Sequence, residues 1–77
     1  MRREMMYRFL VIVEQTDGNY SAYSPDLPGC VATGATREEA EERMHEAIEL
    51  HIAGLREDGL PIPPSRSSAI YVAVGRG

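Results

Sequence analysis

The sequence predicts an α+β fold in which one long helix packs on one face of a small antiparallel sheet. Apolar residues alternate along the first part of the chain with the period of two that is typical of a strand. A turn-forming Asp17-Gly18 pair and a proline-containing stretch then separate two further short strands. After Thr36, apolar residues recur every three or four positions, as in an amphipathic helix. The length of 77 residues suits a single domain over residues 1–77.

The first strand is predicted over residues 5–14, with different side chains on its two faces. One face carries Tyr7, Phe9, Val11 and Val13, and the other carries Leu10 and Ile12. Asp17 and Gly18 are the positive-φ pair that a tight hairpin turn favours. The second strand is predicted over residues 19–24 and the third over residues 30–35. Between them, Pro25, Pro28 and Gly29 favour a sharp bend.

The helix is predicted to begin at Thr36, which forms a capping box with Glu39. It is predicted to end near Gly59, because the prolines that follow cannot continue it. Its apolar stripe consists of Ala40, Met44, Ala47, Ile48, Ile52 and Leu55, and its opposite side carries Glu38, Glu42, Glu46 and Glu49. A last strand is predicted over residues 69–74, and the element order is β-β-β-α-β.

This order predicts a three-stranded meander with the helix on one face and the last strand returning to join the sheet. The other face would carry Leu10 and Ile12, and the sheet would have two free edges. These features predict a homodimer or a higher homo-oligomer that forms through the sheet. His51 falls within the apolar stripe of the helix, where a packing or interface role is expected.

Composition excludes several classes of protein. The longest apolar run, residues 9–13, is far too short to cross a bilayer, so no membrane association is expected. The N-terminus has no signal-peptide core, and the single Cys30 has no partner for an internal disulfide, which together predict a cytoplasmic protein. The net charge of −4 argues against binding nucleic acid through the field of the whole molecule.

Three segments of the chain resemble the HicB-type antitoxin family. They are Tyr23-Ser24-Pro25-Asp26-Leu27-Pro28-Gly29-Cys30, the run from Thr36 to Ala40 that leads into Glu46-Ala47-Ile48, and Asp58-Gly59-Leu60-Pro61-Ile62-Pro63-Pro64. Together they place residues 7–74 within the resemblance. It implies a partial ribonuclease-H-like topology and a domain that binds and blocks a small RNA-cleaving toxin with a double-stranded-RNA-binding-like fold.

Many members of this family carry a further C-terminal DNA-binding segment. This sequence stops at Gly77, just after the last predicted strand, so direct DNA binding is not expected. Short, solitary members also occur. The alternative to an antitoxin is therefore a solitary binding or regulatory module that has no toxin partner.

The residues offer no support for catalysis, and the expectation is a protein that is not an enzyme and needs no metal or cofactor. A ribonuclease-H-like metal site needs several converging carboxylates, and neither the inward face of the first strand nor the last strand has one. Asp26 with His45 or His51 is a weak acid–base candidate, and the two histidines and Cys30 lack the spacing of zinc ligands. Cys30 is interpreted as a small buried thiol.

The candidate partner-binding residues lie on the helix and in the loop before the third strand. On the helix they are Glu38, Glu42, Glu46 and Glu49, which form either an ordinary solvated face or a docking surface for a basic toxin. In the loop they are Tyr23, Asp26 and Leu27, which are expected to be exposed. The loop prolines and glycine are interpreted as structural.

Overall fold

The computed structural model describes residues 7–76. Its elements are β1 (Ile12–Thr16), β2 (Asn19–Tyr23), β3 (Val31–Gly34) and α1 (Arg37–Glu57). The strands form an antiparallel sheet in the order β1-β2-β3, and α1 packs on one face of it. The α+β class and the three-stranded meander predicted from the sequence are confirmed.

A tight turn joins β1 to β2. Thr16 pairs with Asn19 at the turn, and the ladder continues to Ile12 opposite Tyr23. The Thr16 hydroxyl donates a hydrogen bond to the Asn19 carbonyl at 3.2 Å. Gly18 has a φ of 82°, whereas Asp17 has a negative φ, so the prediction of positive φ at both turn residues is wrong. A single glycine in the left-handed region is enough to reverse the chain here.

The first strand is shorter than predicted. β1 begins at Ile12 because β2 ends at Tyr23 and the Ser24–Pro25 step turns away, so no strand among the described residues lies beside residues 7–11 to complete a ladder. The predicted start of this strand, residues 5 and 6, lies outside the described residues. The face assignment nevertheless holds, because Phe9, Val11 and Val13 pack against the core as expected.

Two successive turns build the loop between β2 and β3. The Leu27 amide donates to the Ser24 carbonyl at 3.2 Å, and the Cys30 amide donates to the Leu27 carbonyl at 3.1 Å. Gly29 has a φ of 85°, which permits the second turn. The loop thereby directs Leu27 and Cys30 into the core, where both are buried. The structural interpretation of Gly29 is thus supported.

The ends of α1 follow the predicted chemistry. Thr36 caps the helix, because its hydroxyl accepts a hydrogen bond from the Glu39 amide at 3.1 Å. The Glu39 carboxylate accepts a hydrogen bond from the Ala35 amide at 2.6 Å. In the predicted capping box, the Thr36 amide would be the donor. At the other end, Gly59 has a φ of 67°, and the Leu60 amide donates to the Leu55 carbonyl at 2.8 Å, a Schellman arrangement that closes the helix.

The core lies between α1 and the inner face of the sheet. Its fully buried members are Ala22, Leu27, Cys30, Ala40 and Met44. The helix lies closest to β3, since a Cβ atom at Gly34 would come within 2.5 Å of the Ala40 nitrogen. Met44, one turn further along, is 1% exposed and packs into the same core. The helix therefore covers β3 and β2 more closely than it covers β1.

The returning strand predicted over residues 69–74 is not formed in this structure. These residues belong to no strand, and their large apolar side chains are exposed, with Tyr71 fully so and Val74 at 83%. A strand forms only where a neighbouring backbone completes its hydrogen bonds, and this segment instead runs into solvent. We call residues 69–74 the C-terminal arm.

Candidate protein-binding surfaces

Four glutamates form an exposed acidic ridge along α1. They are Glu38, Glu42, Glu46 and Glu49, and all four are exposed. At about 100° per residue they fall within an arc of about 80° of the helix. This arc lies opposite the buried Ala40 and Met44, so the carboxylates point away from the sheet. The helix thus presents a continuous negative strip to solvent.

The other acids in the first half of α1 take part in ion pairs. Glu41 accepts from the Arg37 guanidinium at 3.0 Å, and Glu39 lies 3.5 Å from that of Arg43. Within residues 7–76, no arginine or histidine lies within ion-pairing distance of Glu38, Glu42 or Glu46. Glu49 lies 3.9 Å from the His45 imidazole, a contact that is ionic only when His45 is protonated. The charge of the ridge is therefore largely uncompensated by the described residues.

Asp26 has an internal structural role that the sequence did not reveal. Its carboxylate accepts hydrogen bonds from the Arg66 and Ser67 amides, both at 2.9 Å, and from the Ser67 hydroxyl at 3.0 Å. The backbone bond from Ser67 is the main cause that lowers the pKa of Asp26 below its ordinary value of 3.8. We call this arrangement the Asp26 clasp. It ties the loop after β2 to the chain just before the C-terminal arm.

The clasp makes a prediction about pH. The Asp26 pKa is lowered in the folded protein, so the clasp is fully present above pH 3.8 and is lost as the pH falls through the lowered value. In ¹H–¹⁵N spectra, the Arg66 and Ser67 amide signals are expected to shift together with one apparent midpoint below 3.8. In Asp26→Asn, which has no carboxyl to titrate at this position, that transition is expected to disappear. A midpoint at or above 3.8 would contradict the assignment.

The other two loop candidates differ in exposure. Leu27 is fully buried, so the expectation that it would be exposed is wrong. The turns at Ser24 and Gly29 direct its side chain into the core. Tyr23 is half-buried and lies on the outer face of the sheet, the face opposite α1. Of the three, only Tyr23 and the partly exposed Asp26 reach the surface; a role for them in partner binding stays a prediction.

The predicted interface residues do not form one patch. Ile12 pairs with Tyr23, which pairs with Val31, and this row lies on the outer face of the sheet. Leu10 lies two residues before Ile12, on the same side of the extended chain, and is half-buried. His51, also half-buried, is on α1 and so lies on the inner side of the sheet. One interface through a sheet face cannot contain all three residues, and their role in oligomerisation stays a prediction.

An apolar cleft of about 860 Å³ lies between α1 and the free edge of β1. We call it the β1 cleft. It is lined by residues 7–13 on the sheet side, by Arg37, Glu41, His45 and Ile48 on α1, and by Ala69, Ile70 and Tyr71 at its rim. The Arg56 guanidinium lies 5.4 Å from the centre of the Tyr7 ring and holds the start of residues 7–13 against the far end of the helix. The sequence indicated the two apolar segments but not the opening between them.

The residues weighed for catalysis are dispersed. Cys30 is buried in the core, and burial raises the pKa of its thiol, which disfavours the reactive thiolate. Asp26 is engaged in the clasp, and His45 is exposed on α1. In the part of the chain that the structure describes, no three His, Cys, Asp or Glu side chains come together as metal ligands would. In the same part, no helix has the length and apolar character that crossing a membrane requires.

The fold and these surfaces define a small α+β domain with an acidic helix face, an apolar cleft and an exposed apolar arm. Residues 9–74 match the model of the family described as the HicB-like antitoxin of bacterial toxin-antitoxin systems. The chain belongs to this family. The resemblance drawn from the loop and from the two ends of the helix is thereby confirmed.

Several curated relatives are of similar size. A UPF0150 protein of Synechocystis is 41% identical over 61 residues, which cover 78% of this chain and 77% of that protein. A UPF0150 protein of Helicobacter pylori is 37% identical over 77% of this chain and 82% of its own length. An uncharacterised 14.9 kDa protein of Haemophilus phage HP1 is 36% identical over 80% of this chain, but the match spans only 47% of the phage protein. No solved structure matches the chain.

Proposed function

We propose that this protein is a non-catalytic, cytoplasmic antitoxin that binds a small, basic, RNA-cleaving toxin and occludes its RNA-binding surface. Membership in the HicB-like antitoxin family supports an antitoxin role in general terms. The acidic ridge is the observation that supports the mode of binding. The domain over residues 1–77 acts by protein contact and needs no cofactor.

The acidic ridge is complementary in charge to the active surface of an RNA-cleaving toxin. A protein that cleaves RNA must hold phosphates and therefore presents arginine and lysine side chains at its active surface. The acidic ridge places four carboxylates on one exposed strip, three of them without an ion pair among the described residues. Such a strip attracts a basic surface over several ångströms and competes with the RNA backbone for it.

The neighbouring ion pairs favour a rigid ridge. The Arg37–Glu41 and Glu39–Arg43 pairs lie on either side of the strip and are spaced four residues apart, which supports the helix. The Arg43 guanidinium also donates to the Thr33 carbonyl of β3 at 3.1 Å. This bond ties the helix to the sheet beside the ridge. The carboxylates are therefore carried on a preorganised surface, which lowers the entropic cost of binding.

The test begins by recovering the partner. Tagged full-length protein is used to capture proteins from nuclease-treated lysate of its own source, and a small basic partner is purified and assayed for RNA cleavage. Adding an equimolar amount of this chain is expected to inhibit that cleavage. The double variant Glu42→Gln/Glu46→Gln keeps the side-chain shapes and is expected to slow association about tenfold at low salt.

A matched variant separates a local effect from net charge. Glu14→Gln/Glu57→Gln removes the same two charges from exposed positions away from the ridge, in the middle of β1 and at the end of α1. It is expected to inhibit cleavage nearly as fast as the unmodified protein. Equal slowing by both variants would mean that the ridge is not the docking surface. Failure to recover any RNA-cleaving partner would favour the alternative, a solitary HicB-like binding module.

A further inference from the structure

The C-terminal arm is an exposed apolar segment with the pattern of a strand. Ile70, Tyr71, Val72 and Val74 are between 72% and 103% exposed, although β-branched and aromatic residues favour a pleated, half-buried setting. Residues 69–74 contain no charged side chain. The family model extends to residue 74, so the arm is part of the domain. An apolar strand-like segment left in solvent indicates a missing contact surface.

The β1 cleft has the shape and chemistry to receive such a strand. Among residues 7–76, β1 is an edge strand, and no strand of this part of the chain pairs with its outward amide and carbonyl groups. The inward residues Phe9, Val11 and Val13 lie only partly buried beneath Ile48 of α1. The Arg37–Glu41 ion pair at the rim neutralises its own charges, so it does not repel an uncharged strand. A fourth strand beside β1 would cover this apolar wall.

The Asp26 clasp determines where the arm of the same chain points. Ser67 is held by two hydrogen bonds to Asp26, and only Ser68 separates it from the arm. Ala69, Ile70 and Tyr71 touch the rim of the cleft, and the chain then leaves it, with Val72 and Val74 exposed. The radius of gyration is 15.3 Å, against about 11–12 Å for a closed chain of this length. A short, anchored hinge of this kind favours exchange between two copies.

We propose that the occupant of the β1 cleft is the C-terminal arm of a second copy of this chain, so that two copies exchange arms reciprocally. Each arm becomes the fourth strand of its partner's sheet, next to β1. The contact is isologous, because each copy offers the same arm and the same cleft. It differs from a dimer through the outer sheet face, in which Ile12 and Val31 would meet the partner.

The area involved is sufficient for a stable dimer. Each arm exposes one tyrosine and three aliphatic side chains, or roughly 330 Å² or more of apolar surface at the usual values per side chain. The cleft surface covered by each arm is of similar size. Two arms in two clefts therefore bury roughly 1,300 Å², within the range of specific protein–protein interfaces.

The test uses the full chain without substitution. Light scattering is expected to give twice the chain mass of 8.5 kDa at about 100 µM, well above the micromolar dissociation constants of weak dimers. In a sample mixed from ¹³C,¹⁵N-labelled and unlabelled protein, isotope-filtered NOEs are expected between Tyr71 or Val72 of one copy and Val11 or Val13 of the other. A monomeric protein, or NOEs between these residues only within one chain, would overturn the proposal.

A matched pair of variants locates the interface. Val72→Asp is expected to weaken the dimer at least about 100-fold, because a buried carboxylate would replace an apolar contact. Val31→Asp makes the same chemical change on the outer sheet face, where Val31 is 63% exposed, and is expected to leave the dimer intact. Dissociation by Val31→Asp and not by Val72→Asp would assign the dimer to the sheet face and overturn arm exchange. Loss of toxin binding with an intact dimer would contradict only the proposed function.

Discussion

Replacing Gly34 with alanine is expected to lower the free energy of unfolding by about 3 kcal/mol, at the upper end of the usual cost of overpacking a core. A Cβ atom at this position would lie 2.5 Å from the Ala40 nitrogen and 3.0 Å from the Ala40 Cα. These are backbone atoms of α1, so no side-chain rotation relieves the contact. The helix would have to move off β3, and the packing of Met44 on the sheet would loosen with it.

Urea denaturation followed by circular dichroism at 222 nm measures this effect. For a domain of this size the total stability is of order 4–12 kcal/mol, so the loss shifts the midpoint strongly. Gly54→Ala is the control, because nothing lies within 4 Å of a Cβ atom there and the residue is inside α1. That variant is expected to gain about 0.5–1 kcal/mol from helix propensity. If the two variants were equally stable, the close approach of α1 to β3 would be wrong.

Truncating Leu27 to alanine is expected to cost about 3–4 kcal/mol. Leu27 is fully buried and, with Met44, is one of the two largest fully buried side chains among the described residues. Its removal leaves a cavity between the loop after β2 and the helix, in addition to the lost transfer free energy. The two turns that hold the loop cannot collapse into this space without breaking their hydrogen bonds.

The same substitution at Leu50 provides the comparison. Leu50 is 75% exposed on α1, so Leu50→Ala is expected to change stability by no more than about 0.5 kcal/mol. Both variants are measured by chemical denaturation at one protein concentration, so that any effect of association is the same for each. Similar losses at the two positions would contradict the burial of Leu27 and would restore it as a surface residue.

The three strands that form, the glycine at each turn and the helix follow from local signals in the sequence. The alternation of Phe9, Val11 and Val13 and the cap at Thr36 each depend on near neighbours in the chain, and both predictions are confirmed. The requirement for glycine at position 34 does not come from the residues next to it in the sequence. It arises from the distance between α1 and β3, which no local pattern encodes.

The surfaces were only partly predictable for the same reason. Helical spacing was enough to place the acidic ridge on the exposed side of α1. Leu27 was placed wrongly, because a loop residue between two prolines gives no sign of which way its side chain points. The Asp26 clasp joins residues 41 positions apart, and nothing near Asp26 in the sequence indicates Ser67 as its partner.

The connections of the sheet also bear on the order of folding. The two strand pairings are hairpins between neighbours in the chain, and only two residues separate the end of β3 from the start of α1. Contacts that close such short loops form fast, because little chain entropy is lost before they are made. The C-terminal arm lies outside these contacts, so its docking follows the formation of the three-stranded body. In the proposed arm exchange, the final step of assembly is an encounter between two folded bodies, and its rate rises with protein concentration while the folding rate of each body does not.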